Sequence, residues 1–155
     1  MIEIGGVLTA MATPFGDGGE VDHEAAERLA AHLLEHGSDG LVVAGSTGEA
    51  ATLDDAEQIG LLRAVRAAVG EDVPLICGTG TNDTRHSVDL TRLADEAGAD
   101  AMLVVTPYYN KPNPAGIRAH FEAVAAATEK PIVLYNSPSP GLRHVPRARP
   151  PPRAA

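Results

Sequence analysis

Short apolar runs alternate with longer segments of helical periodicity along most of this chain of 155 residues. Strands are predicted at 7–13, 40–43, 74–77, 101–105 and 131–135, and helices at about 22–36, 52–69, 83–97 and 115–128. The apolar runs lack strict alternation of polar and apolar residues, which is typical of strands in a parallel sheet covered on both faces. We therefore predict an α/β fold with four strand and helix units followed by a fifth strand.

Residues that start and stop helices stand at the ends of these segments. Asp22 is predicted to cap the first helix, and Gly37 to end it. Thr52 and Asp55 have the spacing of a capping box, which predicts that the second helix begins at Thr52 and ends before Gly70. Each helix is thus bounded by its own local signals.

Two architectures have this alternation, an open doubly wound sheet and a (β/α)8 or TIM barrel. A doubly wound fold that binds a dinucleotide has a glycine-rich turn leading from its first strand into its first helix. The glycine-rich stretch at 16–19 does not lead directly into a helix, so the barrel is the preferred prediction. Because a complete barrel needs on the order of 250 residues, we expect a truncated barrel of about five strands and four helices.

Composition argues against several classes of protein. The net charge of −9 disfavours nucleic acid or an anionic membrane as the main partner, because both are bound by clustered Lys and Arg. No run of 18 or more apolar residues exists and the N-terminus does not resemble a signal peptide, so we expect a cytoplasmic location. The single Cys77 and the lack of metal-finger spacings predict no disulfide and no metal site. A small-molecule substrate is the expected partner, with no cofactor.

The end of the chain differs from the rest in composition. Residues 140–155 contain four arginines, five prolines and no acidic residue, without helical or strand periodicity. We interpret residues 1–139 as one domain and residues 140–155 as an unfolded tail foreign to it. A shifted reading frame in a GC-rich gene would produce this change, and sequencing of the gene tests that hypothesis.

Polar residues collect where the predicted strands end, which is where barrel enzymes carry their active sites. They are Ser46 and Thr47 after the second strand, Thr79 and Thr81 after the third, Tyr108 and Tyr109 after the fourth, and Tyr135 at the end of the fifth. All three tyrosines of the chain fall at such ends. These positions are therefore the candidate functional site.

The loop at 45–49 places two hydroxyl residues between glycines, so successive backbone N–H groups can surround an anion such as a carboxylate. An ordinary Ser/Thr turn leading toward the next helix is the alternative interpretation. Tyr108 and Tyr109 are either packing residues at the barrel rim or phenols that pass a proton. Both alternatives stay open from the residues alone.

Four motifs stand in order at the strand ends: Gly-Ser-Thr-Gly-Glu at 45–49, Gly-Thr-Gly at 78–80, Val-Thr-Pro-Tyr-Tyr-Asn-Lys-Pro at 105–112 and Leu-Tyr-Asn-Ser-Pro at 134–138. Together they resemble the family of dihydrodipicolinate synthase and N-acetylneuraminate lyase, over about residues 7–139. The segment at 107–112 favours the synthases of this family over its aldolases.

The resemblance implies a lyase in which a lysine amine condenses with pyruvate to form a Schiff base, and the derived enamine attacks an aldehyde. In the synthases the aldehyde is aspartate semialdehyde and the product enters lysine biosynthesis. Such enzymes are usually tetramers built from tight dimers. Two alternatives are kept: another pyruvate-dependent class I aldolase, such as an N-acetylneuraminate or keto-deoxy sugar acid lyase, and a non-catalytic fragment that associates with intact subunits.

The resemblance also implies roles for individual residues. Tyr135 matches a tyrosine that relays protons to the substrate, and Ser46 takes the place of a relay hydroxyl that is commonly threonine. Tyr109 matches the tyrosine lent to a neighbouring subunit's site. Thr47, between Gly45 and Gly48, matches the residue that holds the pyruvate carboxylate.

The chain departs from the family pattern at two catalytic positions. Pro140 stands where the family has an arginine, and the Schiff-base lysine belongs to a strand beyond the end of this sequence. Lys111 and Lys130 do not match that lysine, and we interpret both as surface residues.

An effector site for lysine is implied as well, at positions matched by Asn82 and Tyr108. His86 stands there where an acidic residue is common. The alternative interpretation is that these three are ordinary loop and helix-surface residues.

Overall fold

The computed structural model describes residues 4–136, which form one parallel sheet with helices between its strands. The strands are β1 (Leu8–Ala10), β2 (Gly40–Val43), β3 (Leu75–Gly78), β4 (Ala101–Val105) and β5 (Ile132–Tyr135). The helices are α1 (His23–Glu35), α2 (Asp55–Val69), α3 (Thr84–Glu96) and α4 (Pro114–Ala125), with a short 3-10 turn at Ala50–Thr52. The predicted five strands and four helices are therefore confirmed within the described residues.

The sheet has one face that carries the helices and one that does not. The strands pair in chain order, β1 to β5, and every pairing is parallel. One core cluster joins Leu41, Leu75 and Met102 to side chains of all four helices, whereas Val42 and Ile76 belong to a second cluster without helical residues. A doubly wound sheet reverses its strand order and carries helices on both faces. The arrangement is therefore that of part of a barrel, as predicted.

Helix starts follow local capping chemistry, with one correction. Asp22 caps α1 as predicted, since its carboxylate accepts the N–H of Ala25 at 2.9 Å. The prediction that α2 begins at Thr52 was wrong. Asp54 and Glu57 form the capping box of α2, while the Thr52 hydroxyl donates to the Glu49 carbonyl within the preceding turn. Because the Thr52 hydroxyl is already bonded within the 3-10 turn, Asp54 is the residue that caps α2.

The predicted first strand at 7–13 and last helix at 115–128 are shorter in the structure, and threonine side chains form hydrogen bonds just beyond each observed end. After β1 the N–H of Met11 still donates to the Val42 carbonyl at 3.1 Å, and the Thr13 hydroxyl then donates to the Gly48 carbonyl at 2.6 Å. At the other end, the Thr128 hydroxyl bonds the Asp95 carboxylate and accepts the N–H of Lys130 at 3.1 Å. A threonine whose side chain replaces backbone bonding ends an element early.

Two ionic clusters hold the edge where the strands begin. Arg66 on α2 is 7 % exposed and lies 2.5 Å from the Asp100 carboxylate before β4. Lys130 lies 3.0 Å from Asp95, and the hydrogen bond from Thr128 together with this ammonium lowers the pKa of the Asp95 carboxyl.

No helix among residues 4–136 is long and apolar enough to cross a membrane.

His120 makes the stability of the sheet and helix assembly dependent on pH. Its ring is buried between α3 and α4, with Nδ1 2.9 Å from the Thr84 hydroxyl, and burial lowers its pKa below 6.5. The unfolded chain therefore takes up this proton first, and the free energy of unfolding should fall as pH drops below about 6.5. Urea unfolding between pH 7.5 and pH 5 measures the slope.

The control for this prediction is a second histidine on the same chain. Replacement H120Q should flatten the slope between pH 7.5 and pH 5, whereas H23Q, at an exposed position on α1, should leave it unchanged. An equal slope in the parent chain and in H120Q would contradict the assignment.

Candidate functional site

A cavity of about 260 Å³ lies where β2, β3, β4 and β5 end. Its lining residues come from the last residues of strands β3 to β5, from the loops that follow β2, β3 and β4, and from helices α2 and α3: Ala44, Gly45, Ser46, Glu49, Ala50, Ala51, Gln58, Gly78, Gly80, Thr81, Leu90, Leu103, Val105, Tyr108 and Tyr135. Because the strands are parallel, residues far apart in sequence meet at this one edge.

The structure brings together some of the predicted site residues and separates others. Ser46, Thr81, Tyr108 and Tyr135 line the same cavity, together with Gly45. The remaining predicted residues are not part of its lining: Thr47, Gly48, Thr79, Tyr109, Asn82 and His86. One serine hydroxyl, one threonine hydroxyl and two phenols are therefore grouped around a single small cavity.

The loop at 45–49 is held in place by its own hydrogen bonds. The N–H of Gly48 and that of Ala50 both donate to the Gly45 carbonyl, at 3.1 and 3.3 Å, and the Gly48 carbonyl accepts the Thr13 hydroxyl. The N–H groups of Ser46 and Thr47 have no partner within residues 4–136. The amides of Ser46 and Thr47 are therefore the groups of this loop that could bind an anion. That they bind a carboxylate stays a prediction.

Backbone strain is concentrated around the cavity. Four residues other than glycine have positive φ within residues 4–136: Ala44 at 51°, Glu49 at 54°, Tyr109 at 65° and Lys111 at 48°. All four follow β2 or β4. Such conformations cost on the order of 1–3 kcal/mol each and persist where surrounding contacts enforce them, most often at functional sites. The strained residues therefore lie at the same edge of the sheet as the hydroxyl groups of the cavity.

The two adjacent tyrosines differ in their surroundings. Tyr108 is 45 % exposed and lines the cavity, whereas Tyr109 is 91 % exposed and points away from the rest of the described chain. A ring this exposed contributes little of the free energy that burial of apolar surface provides, unless another surface covers it. This exposure is consistent with the predicted role of Tyr109 in a neighbouring subunit.

Thr79 and Thr81 follow the same strand but have different environments. Thr79 is fully buried, and its hydroxyl lies 2.8 Å from that of Thr91 on α3. Its interpretation as a polar residue of the site was wrong, because it faces the helices. Thr81 lines the cavity and accepts a hydrogen bond from the N–H of Asp83 at 3.1 Å.

Sequence reasoning missed Gln58. It lies on α2, is 5 % exposed and donates its amide to the Ala50 carbonyl at 3.0 Å, while its Oε1 atom has no partner within residues 4–136. Because Gln58 also lines the cavity, this oxygen is an acceptor that a bound molecule or a water would satisfy. A glutamine among the mostly apolar buried residues of α2 was the available signal.

The predicted effector residues lie beside the cavity. The Asn82 carbonyl accepts the side-chain amide of Asn110 at 2.8 Å. His86 Nε2 lies 2.7 Å from the Asp55 carboxylate, so it links α3 to the first residue of α2. Only Tyr108 of the three predicted effector residues reaches the cavity. Their effector role stays a prediction.

Neither of the two lysines in the sequence lines the cavity. Lys130 donates to the carbonyls of Asp95 and Ala99 at the opposite edge of the sheet. Burial raises the pKa of the Cys77 thiol to about 12, so this sulfur is protonated at neutral pH and is a poor nucleophile. Residues 4–136 contain no group of three or more side chains suited to hold a metal ion.

Known proteins share this fold and much of this sequence. A 4-hydroxy-tetrahydrodipicolinate synthase from Moorella thermoacetica is 54 % identical over 135 residues, covering 87 % of this chain and 46 % of its own length. A solved dihydrodipicolinate synthase from Bacillus anthracis has a TM-score of 0.85 at 45 % identity, covering 88 % of this chain and 47 % of that one.

A second solved structure contains bound pyruvate. It is a dihydrodipicolinate synthase from Acinetobacter baumannii complexed with pyruvate, with a TM-score of 0.83 at 41 % identity, covering 86 % of this chain and 46 % of that one. The chain thus spans just under half the length of the relatives that it matches.

The match to a family model covers nearly the whole sequence. The model of the dihydrodipicolinate synthetase family matches residues 3–143. This range includes every strand, every helix and every cavity residue described above. The chain belongs to the dihydrodipicolinate synthetase family.

Proposed function

We propose that the chain supplies the carboxylate-binding and proton-transferring half of a 4-hydroxy-tetrahydrodipicolinate synthase site. The reaction is the condensation of pyruvate with aspartate semialdehyde through a Schiff base, in the cytoplasm. The observation that supports it best is the grouping of Ser46, Tyr108 and Tyr135 in one cavity at the carboxyl ends of the strands. The pyruvate bound to the Acinetobacter baumannii relative supports the choice of substrate.

The chemistry assigns a task to each group. A lysine amine adds to the pyruvate ketone and water leaves, which requires that a proton reach the departing oxygen. The Schiff base loses a proton from the pyruvate methyl carbon and becomes an enamine. This carbon then bonds to the aldehyde carbon, and the aldehyde oxygen takes up a proton. Tyr135 and Ser46 are the hydroxyl groups proposed to carry these protons. The amides of Ser46 and Thr47 are proposed to hold the carboxylate.

The nucleophile is proposed to come from outside this chain. Lys130 is bound to carbonyls at the far edge of the sheet, and Lys111 stands exposed in the loop after β4 outside the cavity lining. Neither amine lines the cavity, so neither is placed to attack the ketone of a molecule bound there, as a Schiff-base lysine must. A complementary half, matching the part of the relatives that this chain does not cover, would provide it.

Borohydride reduction in the presence of pyruvate tests the missing nucleophile. The chain alone should yield no covalent adduct by intact mass. Co-expression with the part of the Moorella thermoacetica relative that this chain does not match should give an adduct on that part. An adduct on Lys111 or Lys130 would overturn the proposal.

The proton-transfer role is tested in the co-expressed pair. Replacement Y135F should slow the condensation with aspartate semialdehyde by about 10²- to 10⁴-fold, the usual contribution of a positioned acid or base. Y108F removes the same atom from the same cavity and is the matched control, with a smaller expected effect. Association without any adduct would instead support the non-catalytic fragment.

The proposed assembly is a homo-oligomer of complete barrels. Tyr109, with 91 % of its surface exposed at the edge that carries the cavity, is proposed to reach the site of a neighbouring subunit.

A proposed effector site for lysine is formed by Asn82, Tyr108 and His86. An inhibition assay of the assembled pair with free lysine measures this directly.

A further inference from the structure

The last turn of α1 carries a histidine pair that the proposed function does not use. His32 and His36 are four residues apart on one helix face, and both are exposed. Their ring centroids are 4.0 Å apart, with an angle of 32° between the ring planes. Because α1 leads into β2, the pair lies at the edge where the strands begin, opposite the cavity.

The hydrogen bond of His36 determines which of its nitrogens is free to bind. Nδ1 lies 2.7 Å from the His32 carbonyl oxygen. A carbonyl oxygen only accepts, so Nδ1 carries the hydrogen and Nε2 has the lone pair. Histidine ligands of metals commonly donate their second ring nitrogen to a backbone carbonyl in this way, which orients the ring and raises its basicity.

The electrostatic surroundings favour a cation. The carboxyl end of a helix carries partial negative charge, and both histidines lie in the last turn or cap of α1, beside Glu35. The nearest basic residue on this face, Arg28, has Glu24 as a partner at 3.9 Å. The chain as a whole has a net charge of −9.

From this geometry we propose that His32 and His36 form a two-histidine site for one divalent transition metal ion such as Zn²⁺ or Ni²⁺. Imidazole nitrogens suit these ions, with bonds of about 2.0–2.1 Å to zinc, so two donors on one ion lie about 3 Å apart. The ring centroids are only 4.0 Å apart, so both imidazoles are close enough to contact one ion. Water completes the coordination, and Mg²⁺, which prefers oxygen ligands, is not bound.

Calorimetric titration of the full chain with Ni²⁺ tests the site. The parent chain should bind one ion, and H32Q and H36Q should each weaken the affinity by about tenfold or more, because the second donor binds at high effective concentration. H23Q, an exposed histidine at the start of the same helix, is the matched control and should bind as the parent does. Mg²⁺ should give no signal.

Two results would overturn the site: no binding of Ni²⁺ by the parent chain, or an unchanged affinity in H36Q. Circular dichroism of each variant checks that the helix is intact. Independently, nitrogen NMR of the imidazole rings with Zn²⁺ should show a shift at His36 Nε2 while Nδ1 keeps its hydrogen. A shift confined to Nδ1 would contradict the donor assignment.

Discussion

Replacement R66M should lower the free energy of unfolding by about 3–5 kcal/mol, because it removes one partner of a buried ion pair and leaves the other behind. Natural domains have only about 5–15 kcal/mol of stability in total, so the variant should unfold at much lower urea concentration or fail to accumulate as soluble protein. Urea unfolding and the soluble fraction after expression are the two measurements.

The magnitude follows from what Arg66 holds together. Its guanidinium donates to the carbonyls of Gly70 at 2.6 Å, Val73 at 2.9 Å and Gly98 at 3.0 Å, in addition to the Asp100 carboxylate at 2.5 Å. Asp100 Oδ2 also accepts the N–H of Leu75 at 2.9 Å. One side chain therefore joins the end of α2 to the starts of β3 and β4. Methionine keeps most of the volume but satisfies none of these acceptors.

The control lies on the same helix. R63M changes the same residue type at an exposed position of α2 and should alter stability by about 0.5 kcal/mol or less. Equal losses in R63M and R66M would mean that the cost comes from net charge or helix propensity. The buried network would then contribute little.

Replacement G78A should destabilise the fold by about 1–3 kcal/mol or more and distort the cavity. The added methyl group would press on backbone atoms, which cannot move aside as a flexible side chain can. A methyl group on Gly78 would lie 2.0 Å from the Ala44 carbonyl oxygen and 3.2 Å from the Gly45 nitrogen. Ala44 already has a positive φ of 51°, so its peptide has little freedom to move away. Its displacement would carry the loop at 45–49 with it.

Gly45 is the matched control for this substitution. It lines the same cavity, but a methyl group there would have Val42 Cγ1 as its nearest neighbour, at 3.9 Å. G45A should therefore stay within about 0.5 kcal/mol of the parent chain. The difference between the two urea midpoints measures the effect, and similar midpoints for G78A and G45A would contradict the steric argument.

Local signals in the sequence predicted much of the fold. β2 and β4 have the predicted bounds, and Asp22 caps α1 as expected. Thr52 was placed wrongly because a threonine and an aspartate compete for the same cap, and sequence spacing does not say which of them the preceding turn uses. Such competition is decided by the path of the loop.

The sequence predicted where the candidate site lies, but only some of the residues that form it. Ser46, Tyr108 and Tyr135 were expected at one edge from their place after strands, and they line one cavity. Gln58 was missed because its contribution depends on the packing of α2 against the turn at Ala50–Thr52. Thr79 was misplaced because its position at a strand end did not reveal which face of the sheet it occupies.

By itself, the sequence determined the alternation of strands and helices, most helix caps and the edge where function collects, because each depends on residues within a few positions of one another. Tertiary structure decided the rest through contacts between distant segments. Thr13 reaches Gly48 and Arg66 reaches Asp100, 35 and 34 residues away. Such contacts depend on how the strands curve and stack, which periodicity does not encode. The cavity, its strained rim and the buried ion pair at the opposite edge of the sheet are therefore properties of the fold.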